Sequence, residues 1–252
     1  MLYSKGRVHG LFARSLIKES QPVCAMADFA LILSGCGFLD GSDVWEVVLL
    51  SHYLGRNGKS PAFFAPDAIQ KEVVDHLSRT STGQTRNVLA ESARIAWSGI
   101  REMGQLSGKD VEGLLLPGGE GAVKNLADWV GEGEDRYLRP QKELQRVIRE
   151  MYRRKKPIGA CGLSGLLVAS ALRDIVDAPL TLTVGKDPEL IRQAERMGAV
   201  HVLSRGPEAV MDSDHRVVST PSHLLKLSPA ETAVGIENLI NGVLELTSSK
   251  TS

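Results

Sequence analysis

The segment Gly159-Ala160-Cys161-Gly162-Leu163-Ser164-Gly165 offers this chain its best candidate nucleophile. It reads as a strand turning into a helix through small residues, the pattern of a nucleophile elbow, in which the reactive side chain sits on a sharp turn above a sheet. A helix N-terminus there favours a thiolate, and adjacent backbone N–H groups can stabilise an oxyanion. The same pattern also suits a small buried hydrophobe, as many free cysteines are. A second turn, Leu116-Pro117-Gly118-Gly119-Glu120-Gly121, carries three glycines in six residues and can aim N–H groups at a developing anion, or serve only as a tight connection. A third, Ser34-Gly35-Cys36-Gly37-Phe38-Leu39-Asp40-Gly41, contains a GxG that hints at a dinucleotide site with Asp67 as the ribose-binding acid. The third glycine of GxGxxG is misplaced, so the turn is read as serving the fold and the cysteine crevice. Cys36 follows a strand too and is a possible accessory to Cys161.

These three turns gain meaning from the elements around them. Asp28 to Ser34 is a short, nearly continuous apolar run that suits a strand buried on both faces. Helical spacing from Val44 to Leu54 and a strand at Lys59 to Ala65 complete a βαβ unit. Helices are expected around Ile69 to Leu77 and Asn87 to Trp97, as an insertion over a sheet edge. The alternation resumes with a strand at Val111 to Leu116, helices at Ala122 to Val130 and Gln141 to Arg154, and a strand at Pro157 to Ala160. Strands at Leu180 to Val184 and Ala199 to Leu203 flank a helix opened by Asp187 as N-cap and Pro188 at its first position. Val210 to Ser219 reads as a strand or hairpin. The last helix begins with a capping box of Ser228 and Glu231 around Pro229. Such alternation gives an open, mostly parallel sheet with helices on both faces, whose ligands bind beyond the carboxyl ends of the strands.

The chain has 252 residues and 42% hydrophobic composition, enough for one sizeable core. Thirty basic and thirty acidic side chains balance, so no overall charge marks a nucleic-acid partner, and a small molecule is the expected ligand. The three cysteines, Cys24, Cys36 and Cys161, form no CxxC, which fits a reducing compartment rather than a disulfide scaffold or a zinc site. No apolar run approaches the ~20 residues that cross a bilayer. Residues 1–24 carry Lys5, Arg7, Arg14 and Lys18 before the first acid, Glu19, with an apolar face from Leu11, Phe12, Leu16 and Ile17. They read as a mitochondrial presequence, with a flexible extension on a cytoplasmic protein as the alternative, and residues 25–252 read as one domain.

The runs SGCGFLDGSDVWE, QTRNVLAESARIA, LPGGEGAVKNL, KPIGACGLS and LTVGKDPELIRQAERMGAVHV together resemble the ElbB family, a branch of the ThiJ/PfpI, class I glutamine amidotransferase-like superfamily with mitochondrial members. The resemblance runs from Asp28 to Leu246 in matching order. It implies a flavodoxin-like three-layer α/β/α sandwich, dimeric or higher, without a metal or organic cofactor. By position it implies Cys161 as elbow nucleophile, Glu46 as the carboxyl group that contacts it, and the N–H groups of Gly119 and Gly162 as an oxyanion hole. Two departures stand out: the family's CIAP is read here as Cys161-Gly162-Leu163-Ser164, and its DGSEIHE is DGSDVWE, so that Trp45 replaces a histidine beside Glu46.

The resulting expectation is a cofactor-independent, glyoxalase-like enzyme acting on small reactive carbonyls. A thiolate would attack the aldehyde, Glu46 would move protons and N–H donors would hold the alkoxide. For Cys161 to ionise, its pKa must be lowered, which requires Glu46 to be protonated beside it. The alternative is a non-catalytic redox sensor or binding protein using the same cysteine. A glutamine amidotransferase would need a downstream His-x-Glu, yet the histidines stand in His201-Val202-Leu203, His215-Arg216-Val217 and His223-Leu224-Leu225. A PfpI-type protease would place histidine where Gly162 stands. His201 is the one histidine retained as a possible third member of the site; His52 and His76 are read as helix-surface residues.

Overall fold

The computed structural model describes residues 27–97, 99–133 and 136–249; the expected presequence lies outside the described residues. In chain order, the first half contains β1 (Phe29–Ile32), α1 (Val44–Arg56), β2 (Pro61–Ala65), a hairpin of β3 (Val74–Asp75) and β4 (Thr80–Ser81), α2 (Val88–Ser92) and β5 (Ile100–Glu102). β6 (Gly113–Leu116), α3 (Glu120–Leu126), a hairpin of β7 (Ala127–Val130) and β8 (Tyr137–Pro140), α4 (Lys142–Arg153), β9 (Ile158–Cys161) and α5 (Ser164–Leu172) follow. The chain closes with β10 (Leu180–Leu182), α6 (Pro188–Arg196), β11 (Ala199–His201), β12 (Val210–Asp212), β13 (Val217–Thr220) and α7 (Pro229–Ser248).

Seven strands form one sheet in the order β12-β13-β9-β6-β1-β2-β5, parallel except for the β12–β13 hairpin. The chain builds outward from β1 to β2 and β5, then crosses back to place β6 on the other side of β1. That reversal is the topological switch point, where open sheets of this kind form a crevice at their carboxyl ends. Alternation along each strand divides the core into two layers. Ala30, Ile32, Leu114, Leu116, Ile158 and Ala160 join the cluster beneath α4 and α5, while Phe29, Leu31, Leu115, Cys161 and Val218 join the cluster with α1 and α7. The α4 residues Leu144, Val147, Ile148 and Met151 recur at helical spacing and are buried as one stripe. The layered α/β/α architecture is thus the one expected.

Local expectations fail in the connections. Ile69 to Leu77 is no helix: Gln70 N–H donates to Arg86 C=O (2.8 Å) and Thr82 N–H to Val73 C=O (2.8 Å), so its amides pair across a ribbon ending in β3–β4. His76 therefore lies in a hairpin, where its Nε2 accepts from Leu39 N–H at 3.2 Å. The helix expected at Ala122 to Val130 stops at Leu126, because Ala127–Val130 pairs antiparallel with Tyr137–Pro140. β10 and β11 leave the main sheet and pair only with each other. The helix termini match the sequence: Asp187 Oδ1 accepts from Glu189 and Leu190, and Ser228 and Glu231 form a reciprocal capping box.

Candidate functional site

Four adjacent strands, β1, β6, β9 and β13, end at the same crevice, and the residue groups that follow them meet there. After β1, Asp43 caps α1 by accepting from Trp45 N–H (2.9 Å) and Glu46 N–H (3.3 Å). One turn in, Glu46 is fully buried although it is an acid. Its Oε2 accepts from Gly118 N–H at 2.5 Å, in the turn after β6. Its Oε1 lies 2.8 Å from Nδ1 of His223, in the turn after β13. The carboxylate is thus satisfied at both oxygens, the condition under which a buried charge is tolerated. The two turns are themselves joined, Asp43 N–H donating to Gly118 C=O at 3.0 Å. Gly119 permits this approach: its φ is +100°, and a Cβ there would fall 2.5 Å from Gly41 O.

The turn after β9 corrects the expected elbow by one residue. Cys161 is still a ladder residue, in register with Thr220, and the ladder continues as Gly162 N–H donates to Thr220 C=O at 2.9 Å. The left-handed backbone appears only at Gly162, with φ +53°. Strand alternation therefore turns the Cys161 side chain into the α1/α7 core, where the residue is 0% exposed. A side chain grown on Gly162 would instead meet His223, its Cβ 2.7 Å from Cε1 and 3.4 Å from Nε2. The apex of the elbow that faces Glu46 and His223 is glycine, and the imidazole lies over it.

The electrostatics follow from this packing. Burial, together with the charges of Glu46 and Asp43, pushes the Cys161 thiol well above its ordinary range, opposite to the lowered pKa expected. Burial alone would raise Glu46, but the hydrogen bond and charge of His223 outweigh it and hold the carboxyl below its usual value. Glu46 is therefore the ionised partner of His223, not the protonated donor to a thiolate. Burial likewise opposes a charge on His223, yet the hydrogen bond it donates to Glu46 and the charge of that carboxylate prevail and raise the imidazole. Asp43 is pushed up by burial and by Glu46.

Of the remaining expected residues, Gly162 cannot give its N–H to an oxyanion, since Thr220 already accepts it. Cys36 is half-buried beside Arg94, Glu91 and Asp40, with burial raising its pKa. His201 lies on β11, in the separate two-stranded sheet, and is not a member of the Asp43–Glu46–His223 cluster. The residue missed in the sequence is His223. A search for a local His-x-Glu pattern passes over it, because its acidic partner lies 177 positions away. Its place just after a strand at the carboxyl edge was the available signal.

No family model matches the chain. Among curated proteins, it is 35% identical to the "ES1 protein homolog, mitochondrial" of Rattus norvegicus, over 98% of this chain and 94% of that protein. It is 36% identical to the human "Glutamine amidotransferase-like class 1 domain-containing protein 3, mitochondrial", over 88% of this chain and 84% of that protein. Among solved structures, an isoprenoid biosynthesis protein with an amidotransferase-like domain from Ehrlichia chaffeensis superposes with a TM-score of 0.79 at 34% identity, covering 86% of this chain and 99% of that one. A ThiJ/PfpI domain protein from Brachyspira murdochii (TM-score 0.51, 13% identity, 85% and 96% covered) and glyoxalase III from Candida albicans (0.56, 13%, 86% and 97%) share the fold. Identity at this level across nearly the whole chain is what descent from one ancestor leaves, and the chain belongs to the mitochondrial ES1 family of glutamine amidotransferase-like class 1 domain proteins, built on the ThiJ/PfpI fold.

Proposed function

We propose that this protein is a mitochondrial handler of small carbonyl compounds that works through His223 and Glu46 by proton transfer, without a covalent adduct on Cys161. The observation that carries this reading is the position of the elbow: Gly162, not Cys161, holds the left-handed apex, against the imidazole of the Glu46–His223 pair. A carboxylate at Nδ1 orients an imidazole and leaves Nε2 for a reacting group, the logic of a catalytic dyad. Nε2 of His223 is buried without a hydrogen-bond partner among the described residues. It lies near the glycine apex, where an oxygen or an acidic C–H of a 2-oxoaldehyde hydrate would accept or give up a proton. A thiol held neutral in an apolar cluster is neither the nucleophile of a glyoxalase-like step nor an exposed redox sensor.

Methylglyoxal consumption by the native chain, Cys161→Ala and His223→Ala tests the reading. The expected result is retained turnover in Cys161→Ala and loss of at least about a hundredfold in His223→Ala, as general acid–base catalysis contributes ~10²–10⁴-fold. Abolition by Cys161→Ala in a folded variant would overturn it in favour of thiol chemistry. A native chain that binds the carbonyl saturably in calorimetry without consuming it would support the second reading, a binding protein built on the same crevice.

A further inference from the structure

We infer that Asp43, Glu46 and His223 form a site for one divalent transition-metal ion of the zinc type. This goes beyond carbonyl handling and departs from the metal-free site that the family resemblance implies. The three side chains each offer one donor atom, and these atoms all lie within 4.8 Å of one another. His223 Nδ1 is 2.8 Å from Glu46 Oε1 and 3.9 Å from Asp43 Oδ2. Donors bound to one zinc ion at about 2.0–2.2 Å stand roughly 3 to 3.5 Å apart, a spacing that the two separations bracket and that rotation of the Asp43 carboxylate toward the imidazole would complete.

Each carboxylate is oriented for this by its other oxygen. Asp43 Oδ1 is fixed by the first amides of α1, and Glu46 Oε2 by Gly118 N–H. The oxygens that remain, Asp43 Oδ2 and Glu46 Oε1, are the ones turned toward the imidazole. Holding a ligand through its second polar atom is how outer-shell hydrogen bonds prepare a metal site. Two carboxylates and a neutral imidazole carry a charge of minus two, which a divalent ion balances. On loading, the imidazolium that pairs with Glu46 gives its Nδ1 proton to solvent and keeps the proton on Nε2, so that it ligates as a neutral group.

An independent observation points the same way. Ser222 is 1% exposed, and its hydroxyl stands close enough to Glu46 to favour the ionised carboxylate, yet it completes no hydrogen bond of its own. It is a buried polar group aimed at the cluster. Asp43 and His223 side chains remain 16% and 14% exposed, which gives an ion a route from solvent. A mixed nitrogen and oxygen set without thiolate suits zinc, cobalt or nickel better than calcium or magnesium, which take oxygen donors. The buried Asp212–His215 pair offers no such site: it contributes two residues, and both Asp212 oxygens already accept backbone N–H groups, from Thr181 and His215.

The test uses full-length protein stripped with a chelator. Zn²⁺ is titrated by calorimetry and Co²⁺ by its visible absorption, for the native chain, Asp43→Asn, His223→Ala and the control His215→Ala. Asn is as good an N-cap as Asp, so Asp43→Asn keeps the helix start while removing the charge. The expected result is one ion per chain, weakened at least about tenfold by Asp43→Asn and by His223→Ala and unchanged in His215→Ala. Absence of saturable Zn²⁺ and Co²⁺ binding, or binding indifferent to both site substitutions, overturns the inference. The carbonyl reading fails by a different result, loss of turnover in Cys161→Ala, so the two can be told apart.

Discussion

At the scale of single residues, reactivity is decided by the environment of each thiol. Cys161 and Cys36 both have pKa values raised by burial, but only Cys161 is enclosed completely, and the nearby charges of Glu46 and Asp43 raise it further. A low thiolate fraction and no path to solvent act together on Cys161. Alkylation with iodoacetamide at pH 8, followed by peptide mass mapping, is therefore expected to label Cys36 well before Cys161. Equal or faster labelling of Cys161 would contradict the buried assignment. Glu46 and His223 present the opposite case, two groups that each make the other's charge sustainable in a place where neither would be stable alone.

At the scale of elements, the turn between β9 and α5 fixes the site. Gly162 is required for two reasons, its left-handed φ of +53° and the 2.7 Å distance from its would-be Cβ to His223. Gly162→Ala combines the backbone strain, about 1–3 kcal/mol, with displacement of the imidazole from Glu46. Urea unfolding is expected to show a loss in that range, and the His223 NMR resonances are expected to shift with it. By contrast, Gly165→Ala, where the nearest atoms to a Cβ lie at 3.7 Å or beyond inside α5, is expected to be neutral or mildly stabilising, as Ala replaces Gly in a helix. Equal losses in the two variants would show that the apex has no special geometry.

At the scale of the whole molecule, the Glu46–His223 pair ties α1, near the start of the domain, to the turn after β13, near its end. Glu46 has its folded pKa lowered, so its stabilisation is present above its ordinary value of 4.5 and lost as pH falls through the lowered one. His223 has its folded pKa raised, so its stabilisation is complete below 6.5 and lost as pH rises through the raised value. Both contributions are full between those two ordinary values, pH 4.5 and 6.5. The difference in unfolding free energy between the native chain and His223→Gln, measured with a chelator present, is expected to be largest there and to shrink on either side. A difference independent of pH would show that the pair is not ionic.

Periodicity carried most of the architecture in the sequence. Strands such as Phe29–Ile32, buried on both faces, read as continuous apolar runs, and α4 shows its buried stripe at 3.6-residue spacing. Asp187 and Ser228 announced helix starts because a cap bonds amides only two or three residues away. The glycine turns were also legible, since the strands that precede them could be counted and their carboxyl ends located, whereas Glu46 was marked only by the family resemblance. Cross-strand pairing was not legible, because its energy comes from partners distant in sequence. It turned the expected helix at Ile69 to Leu77 into a ribbon, removed β10 and β11 from the main sheet, and held Cys161 in the ladder against Thr220. That last pairing moved the elbow by one residue, and because side chains alternate along a strand, one residue separates the apolar core from the crevice. His223 came to Glu46 for the same reason: only the packing of β13 beside β9 brings together two residues 177 positions apart.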